Sequence, residues 1–140
     1  AAAFAVAAES AVAEQAAEAE RLATLTERLI GQVRAAIPDA ELLGDPVHRL
    51  PGNVHLLLRG AGGEQLLFLL DQAGIAVSTG SACQAGVPEP SHVVLALGRS
   101  EREARQVLRI TLGRTSTCAD VEAFVAALPD AVTRARGRRG

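Results

Sequence analysis

One cysteine stands in a setting suited to chemistry. Val77 to His92 reads Val-Ser-Thr-Gly-Ser-Ala-Cys-Gln-Ala-Gly-Val-Pro-Glu-Pro-Ser-His, with Cys83 among small residues. Large apolar residues are missing for several positions on either side. A structural cysteine usually sits among apolar neighbours and behaves as a small hydrophobe. A cysteine on a Gly/Ser-rich loop is more exposed and freer to move, and its thiolate is the nucleophilic form. These features leave two readings open: a reactive thiol, or an ordinary loop thiol.

The other chemistry-bearing residues are sparse. Cys118 follows 35 positions after Cys83, with no C-x-x-C anywhere. That pattern is neither a disulfide framework nor a zinc site. It fits free thiols in a reducing cytosol, so a cytoplasmic location is expected. Cys118 falls in the first turn of an expected helix, where the dipole favours a thiolate, but it reads as incidental. Arg109 alternates with apolar neighbours on an expected strand, where the plain reading is a surface charge paired with an acid. Asn53 stands at an expected strand start, a common place for a turn residue. His92 is expected to pack or hydrogen-bond near a helix start. His48 and His55 lack partners at metal-ligand spacing and read as ordinary, so no metal site is expected.

Composition removes several function classes. The 140 residues include fourteen arginines and no lysine. A Schiff-base enzyme needs a lysine amine as its covalent anchor, and this chain alone has none. There is no Trp, Tyr or Met and only three Phe, so aromatic stacking on bases is nearly excluded. Net charge is −2. Residues 1–133 hold ten arginines against sixteen acids, a balance of −6, which does not suggest nucleic acid. Four arginines, Arg134, Arg136, Arg138 and Arg139, form a basic tail over 134–140, expected to be solvated and frayed. No run reaches the 18 apolar residues of a membrane span, and no basic segment opens a signal peptide.

The elements that must position these residues follow from periodicity. Residues 3–37 read as one long helix. Phe4, Ala8, Ala11 and Val12, then Leu22, Leu25, Leu29 and Val33, form its apolar stripe, and Pro38 stops it. No N-cap precedes it, as expected of a helix cut from a longer protein. A short strand at 40–43 and a strand at Val54–Leu58 follow. Gly63–Ala73 is a helix carrying Leu66, Leu67 and Leu70 on one face, with Gly74 as its cap. Ile75–Val77 reads as a short strand. Ser91 is placed to cap a helix ending near Gly98, and Ser100 with Glu103 makes a capping box. Val107–Leu112 alternates as a half-buried strand. Thr117 with Asp120 caps a last helix to about Leu128, where Pro129 interrupts. A long helix, a small antiparallel sheet and covering helices make an α+β domain. At 140 residues it is one domain able to bury roughly two-thirds of its unfolded surface.

A resemblance joins these parts. Gly74 to Gly98, reading G-I-A-V-S-T-G-S-A-C-x-x-G-x-x-E-P-S-H-V-x-x-A-L-G, resembles the active-site segment of cysteine desulfurases. These are pyridoxal-phosphate enzymes related to class-V aminotransferases. Leu50-Pro51-Gly52-Asn53-Val54, Gly63-Glu64, Arg109-Ile110-Thr111-Leu112-Gly113 and Thr115–Val121 resemble further family segments, in the family's order, across most of residues 20–130. Thr111 stands where the family strand has Ser.

The resemblance implies that residues 1–133 are the C-terminal small domain, with 1–37 as its connecting helix. It implies that L-cysteine is split to L-alanine and a persulfide on Cys83, feeding iron–sulfur cluster or thio-cofactor assembly. By resemblance, Arg109 binds the substrate carboxylate through its bidentate fork, and Asn53 is a weaker substrate-binding candidate. Pyridoxal 5′-phosphate would belong to a large domain whose lysine is not among these residues, leaving this chain alone inactive. The expected partners are that large domain, a sulfur-acceptor or scaffold protein, and a second copy in the intact homodimer. Two alternatives stay open: a non-enzymatic persulfide relay on Cys83, and a selenocysteine lyase-like relative.

Overall fold

A computed structural model describes residues 2–80 and 89–137. The element order is α1 (Ala2–Ala36), β1 (Glu41–Leu42), β2 (Asn53–Leu57), α2 (Gly63–Gln72), α3 (His92–Ala96), α4 (Glu101–Ala104), β3 (Val107–Thr111) and α5 (Cys118–Gly137). The three strands form one antiparallel sheet in the order β1-β2-β3. This is the α+β arrangement expected.

The sheet has two faces because side chains alternate along a strand. Val54 and Leu56 of β2 and Leu108 and Ile110 of β3 point to one side. There they join Leu25, Leu29 and Val33 of α1, Leu66, Leu69 and Leu70 of α2, and Val121, Phe124 and Leu128 of α5 in the main core. On the other side, Leu57 and Val107 meet Leu43, Val94 and Ala104 in a small second cluster under α3 and α4. The rest of that second face is polar and carries the candidate site.

Only the second half of the α1 stripe is used. Leu25, Leu29 and Val33 are buried and Leu22 is half-buried, but residues 2–17 are exposed, with Phe4 80% and Val12 73% accessible. The apolar period continues where no described residue covers it.

Two expectations are corrected. Ile75–Val77 is not a strand. Gly74, at φ 76°, ends α2 in a Schellman turn, in which the Ile75 and Gly74 amides donate to Leu70 and Asp71 carbonyls. That cap directs the chain, which reaches β3 only at Ser78, bridged to Arg109. Helix α5 does not stop at Pro129 but runs to Gly137. Burial of Leu128, Ala131, Val132 and Ala135 offsets the hydrogen bond the proline cannot make. Arg134 and Arg136 therefore belong to the helix rather than to a frayed tail. Arg136 donates to Asp39 at 2.6 Å and to the Arg59 carbonyl at 3.0 Å. Residues 138–140 lie outside the described residues.

The capping boxes form as expected. Ser100 accepts from the Glu103 amide at 3.3 Å while Glu103 accepts from the Ser100 amide at 3.1 Å. Thr117 and Asp120 make the same reciprocal pair ahead of α5. Ser91 differs: it occupies the N-cap of α3, but its side chain makes no capping bond.

Candidate functional site

The polar half of the second sheet face is built from β2, β3 and the chain beside them. Asn53 and His55 sit two residues apart on β2, on the face opposite Val54 and Leu56. Register pairs Asn53 with Thr111 and His55 with Arg109. Directly opposed side chains of this kind have Cβ atoms about 4.5–5.5 Å apart. Two residues expected to belong to a site, Arg109 and Asn53, therefore share one small face.

The start of β2 is fixed from several directions. Thr26 of α1 donates to the Pro51 carbonyl. The Leu112 amide donates to the Gly52 carbonyl at 2.7 Å, and the Asn53 amide to the Leu50 carbonyl at 3.1 Å. Arg49 clamps the Asn53 carbonyl through Nη2 at 2.8 Å and Nε at 3.3 Å. Farther out, Arg21 of α1 holds the turn after β3, donating to the carbonyls of Gly113 at 2.9 Å and Ser116 at 2.7 Å.

Ser78 joins the site from the β3 side. Its amide and carbonyl pair with the Arg109 backbone at 3.0 and 2.6 Å. Its Oγ accepts from the Gly80 amide at 3.1 Å and from Arg109 Nη2 at 3.4 Å. Gly80 has φ 77°, and a Cβ there would stand 3.5 Å from His55 Nε2, so the imidazole packs beneath Gly80.

The electrostatics of this face are cationic. Arg109 is exposed. Among the described residues, neither Arg109 nor Arg49 makes a salt bridge, whereas Arg21, Arg28, Arg59, Arg99, Arg114, Arg134 and Arg136 all do. The plain expectation for Arg109, a surface charge paired with an acid, is therefore not met among them. Burial lowers the Arg49 pKa from its ordinary value, with Asp45 acting in the opposite sense. Burial is also the main cause lowering the His55 pKa, followed by repulsion from Arg109 and Arg49.

Two buried polar atoms on this face, Asn53 Oδ1 and His55 Nε2, and also Arg49 Nη1 beside the start of β2, have no hydrogen-bond partner among the described residues. Most buried polar atoms in folded proteins are paired, so orphans concentrated on one face mark a place where something polar is accommodated. Two arginines without carboxylate partners suit an anion, and a guanidinium fork suits a carboxylate in particular.

Arg49 and His55 were not singled out from the sequence. Their role depends on which residues lie across the sheet, and no local spacing reveals that. Cys83 lies outside the described residues. Gly80, three residues earlier, is the last described residue before it. Cys118 is a free, exposed thiol at the start of α5. It belongs to a different part of the chain from this face. His48 and His92 are exposed. Among the described residues, no group of three or more His, Cys, Asp or Glu could hold a metal ion, and no helix is long and apolar enough to cross a membrane.

The model of the aminotransferase class-V family matches residues 1–124. The chain belongs to this family. An IscS-like cysteine desulfurase of Mycobacterium tuberculosis is 52% identical over 118 residues, covering 83% of this chain and 30% of that protein. Cysteine desulfurase IscS 1 of Archaeoglobus fulgidus is 41% identical over 133 residues, covering 95% of this chain and 35% of that protein. A solved NifS-like protein from Rickettsia africae superposes with a TM-score of 0.74 at 26% identity, over 86% of this chain and 30% of that one. The chain thus spans about a third of the length of these relatives.

The family uses pyridoxal phosphate, and these residues fit only part of such a site. The chain offers cations and orphaned polar atoms for a carboxylate, but no lysine to bind the cofactor covalently.

Proposed function

We propose that this segment is the substrate-carboxylate-binding and sulfur-accepting part of a cysteine desulfurase. Residues 1–133 serve as its small domain, and the pyridoxal phosphate is held by residues outside the segment. The carrying observation is the polar face on which Arg109, free of any described salt bridge, stands opposite His55 and beside Asn53. Such a face accepts the carboxylate of L-cysteine on Arg109, with Asn53 Oδ1 available to a donor on the same substrate. The curated relatives carrying the name cysteine desulfurase support the reaction class.

Cys83 supplies the nucleophile. An S–S bond forms between its thiolate and the substrate sulfur, and the substrate Cβ–S bond breaks. The carbon keeps that electron pair and takes up one proton to become the methyl group of L-alanine. The persulfide on Cys83 then serves an acceptor protein in iron–sulfur or thio-cofactor assembly. A persulfide-carrying thiol suits a reducing compartment such as the cytoplasm, where thiols stay reduced.

The test uses the 140-residue chain. Incubated with L-cysteine and added pyridoxal phosphate, it releases no sulfide, because it lacks the anchoring lysine. Incubated with an intact desulfurase and L-cysteine, it gains one sulfur atom on the peptide containing Cys83, read by mass spectrometry. Sulfide release by the chain alone, or sulfur carried on Cys118 with Cys83 unmodified, refutes the assignment.

A further inference from the structure

His55 is a half-buried histidine on the site face, with no hydrogen-bond partner for Nε2 among the described residues. Its place is determined on three sides. Arg109 lies directly across from it on β3. Gly80 covers its ring, with the site of a Cβ only 3.5 Å from Nε2 and 3.6 Å from Cε1. On the β1 side its carbonyl accepts from the Leu43 amide at 2.8 Å. Arg49 reaches it through space from the loop before β2.

We propose that His55 is a positioning residue for Arg109: its neutral imidazole sets where the guanidinium stands on the site face and couples a carboxylate held there to a proton. This rests on the carboxylate-binding reading above.

The packing argument comes first. Arg109 has one described side-chain hydrogen bond, to Ser78 Oγ at 3.4 Å, at the long end of the useful range. A long arginine so weakly tied is held by what lies beside it. On the β2 side that neighbour is the flat His55 ring, and Gly80 prevents the ring from rising. A neutral ring adds no charge to compete with the Arg109 guanidinium, which has no described salt bridge and is available to a ligand.

The charge argument is independent. The charged groups facing His55 are Arg109 from β3 and Arg49 from the loop before β2. Leu43 on the β1 side and Ser78–Gly80 bring none among the described residues. Both charged groups are cations, so a proton on His55 is opposed until an anion neutralises the face. A bound carboxylate supplies that anion. By linkage, carboxylate binding then takes up a proton at His55, and the carboxylate binds more tightly as that proton becomes available.

The probe is propionate, with propionamide as its neutral control, added to the 140-residue chain. NMR follows the His55 ring, assigned by its loss in His55→Gln. The expected result is a His55 titration midpoint below that of an unperturbed histidine, moved up by propionate and not by propionamide. Propionate affinity rises as pH falls through the same range. In His55→Gln, a neutral side chain of similar reach keeps the affinity measured at pH 8 and removes the pH dependence. In His55→Ala, affinity falls roughly three- to tenfold because Arg109 must be ordered by the ligand alone.

An unmoved His55 midpoint, with propionate binding intact in His55→Ala and abolished in Arg109→Ala, overturns the inference and leaves the carboxylate reading standing. Binding that survives Arg109→Ala, or is absent from the unaltered chain, overturns both. Should His55→Ala fail to fold, the midpoint shift and His55→Gln decide the matter.

Discussion

Alanine placed at two glycines is expected to act with opposite sign. At Gly52, the first atom of any side chain would fall well inside contact with the Leu112 carbonyl oxygen. It would also crowd the Leu112 carbonyl carbon at 3.3 Å and Leu22 Cδ1 at 3.4 Å. The closest obstacle is backbone and cannot rotate away. The strands must separate by roughly 1 Å to restore ordinary contact. The bond from the Leu112 amide to the Gly52 carbonyl, now 2.7 Å, stretches with them. Overpacking of about 1–3 kcal/mol plus about 1 kcal/mol for the weakened bond, less about 0.5 kcal/mol from a stiffer unfolded chain, leaves Gly52→Ala destabilised by about 1.5–3.5 kcal/mol. For a chain of this length that is about 5–12 °C in Tm. At Gly31, inside exposed α1, a Cβ meets nothing within 4 Å. Gly31→Ala is expected to add about 0.5–1 kcal/mol, or about 2–3 °C, through helix propensity alone. Thermal unfolding by circular dichroism reads both. Gly52→Ala as stable as the parent chain would refute the close approach of Gly52 to β3, and with it the geometry that sets Asn53 and His55 opposite Thr111 and Arg109.

Two further outcomes follow from capping and titration. Ser100→Ala removes the acceptor for the Glu103 amide and is expected to cost about 1 kcal/mol, read as a lower urea midpoint with an unchanged m-value. His55 has a lowered pKa when folded, so between that value and about 6.5 the unfolded chain binds the additional proton. Its contribution is therefore intact above about pH 6.5 and is lost as pH falls toward the folded value. Urea unfolding across that range should show this slope in the parent chain and a flatter one in His55→Gln.

The sequence made the helices legible where burial follows the helical period. Leu25, Leu29 and Val33 recur at four-residue steps and all three are buried. It made β3 legible because Leu108 and Ile110 alternate with Arg109 and Thr111. The capping boxes were legible because their bonds span three residues. Three features were hidden for physical reasons. Pro129 carries a local signal to stop, which tertiary burial of Leu128 and Val132 overrides. Ile75–Val77 carries a strand-like composition, but its direction is set by the Schellman turn at Gly74. His55 and Arg49 have no local pattern at all, since what matters is the antiparallel register that brings Arg109 opposite. Arg109 and Asn53 were singled out through family resemblance, and the register then placed them on one face.

That face shows how one short strand pair can serve stability on one side and the proposed site on the other. Val54, Leu56, Leu108 and Ile110 spend their side chains on the core, while Asn53, His55 and Arg109 spend theirs on the opposite side. Side-chain changes on the site face leave the core atoms in place, so their effects should appear in binding before they appear in folding. Backbone changes such as Gly52→Ala act on both at once. Ser78 extends this logic along the chain. One hydroxyl oxygen accepts from both Arg109 and the Gly80 amide, and the Ser78 backbone pairs with Arg109 in both directions. The arginine proposed to receive the carboxylate is thus tied to the bridged residue that leads, five positions on, to the proposed sulfur acceptor Cys83. Whatever orders Arg109 also orders Ser78 and Gly80, which gives a physical reason for the proposed carboxylate-binding residue and the proposed nucleophile to lie close in sequence to one another's anchors.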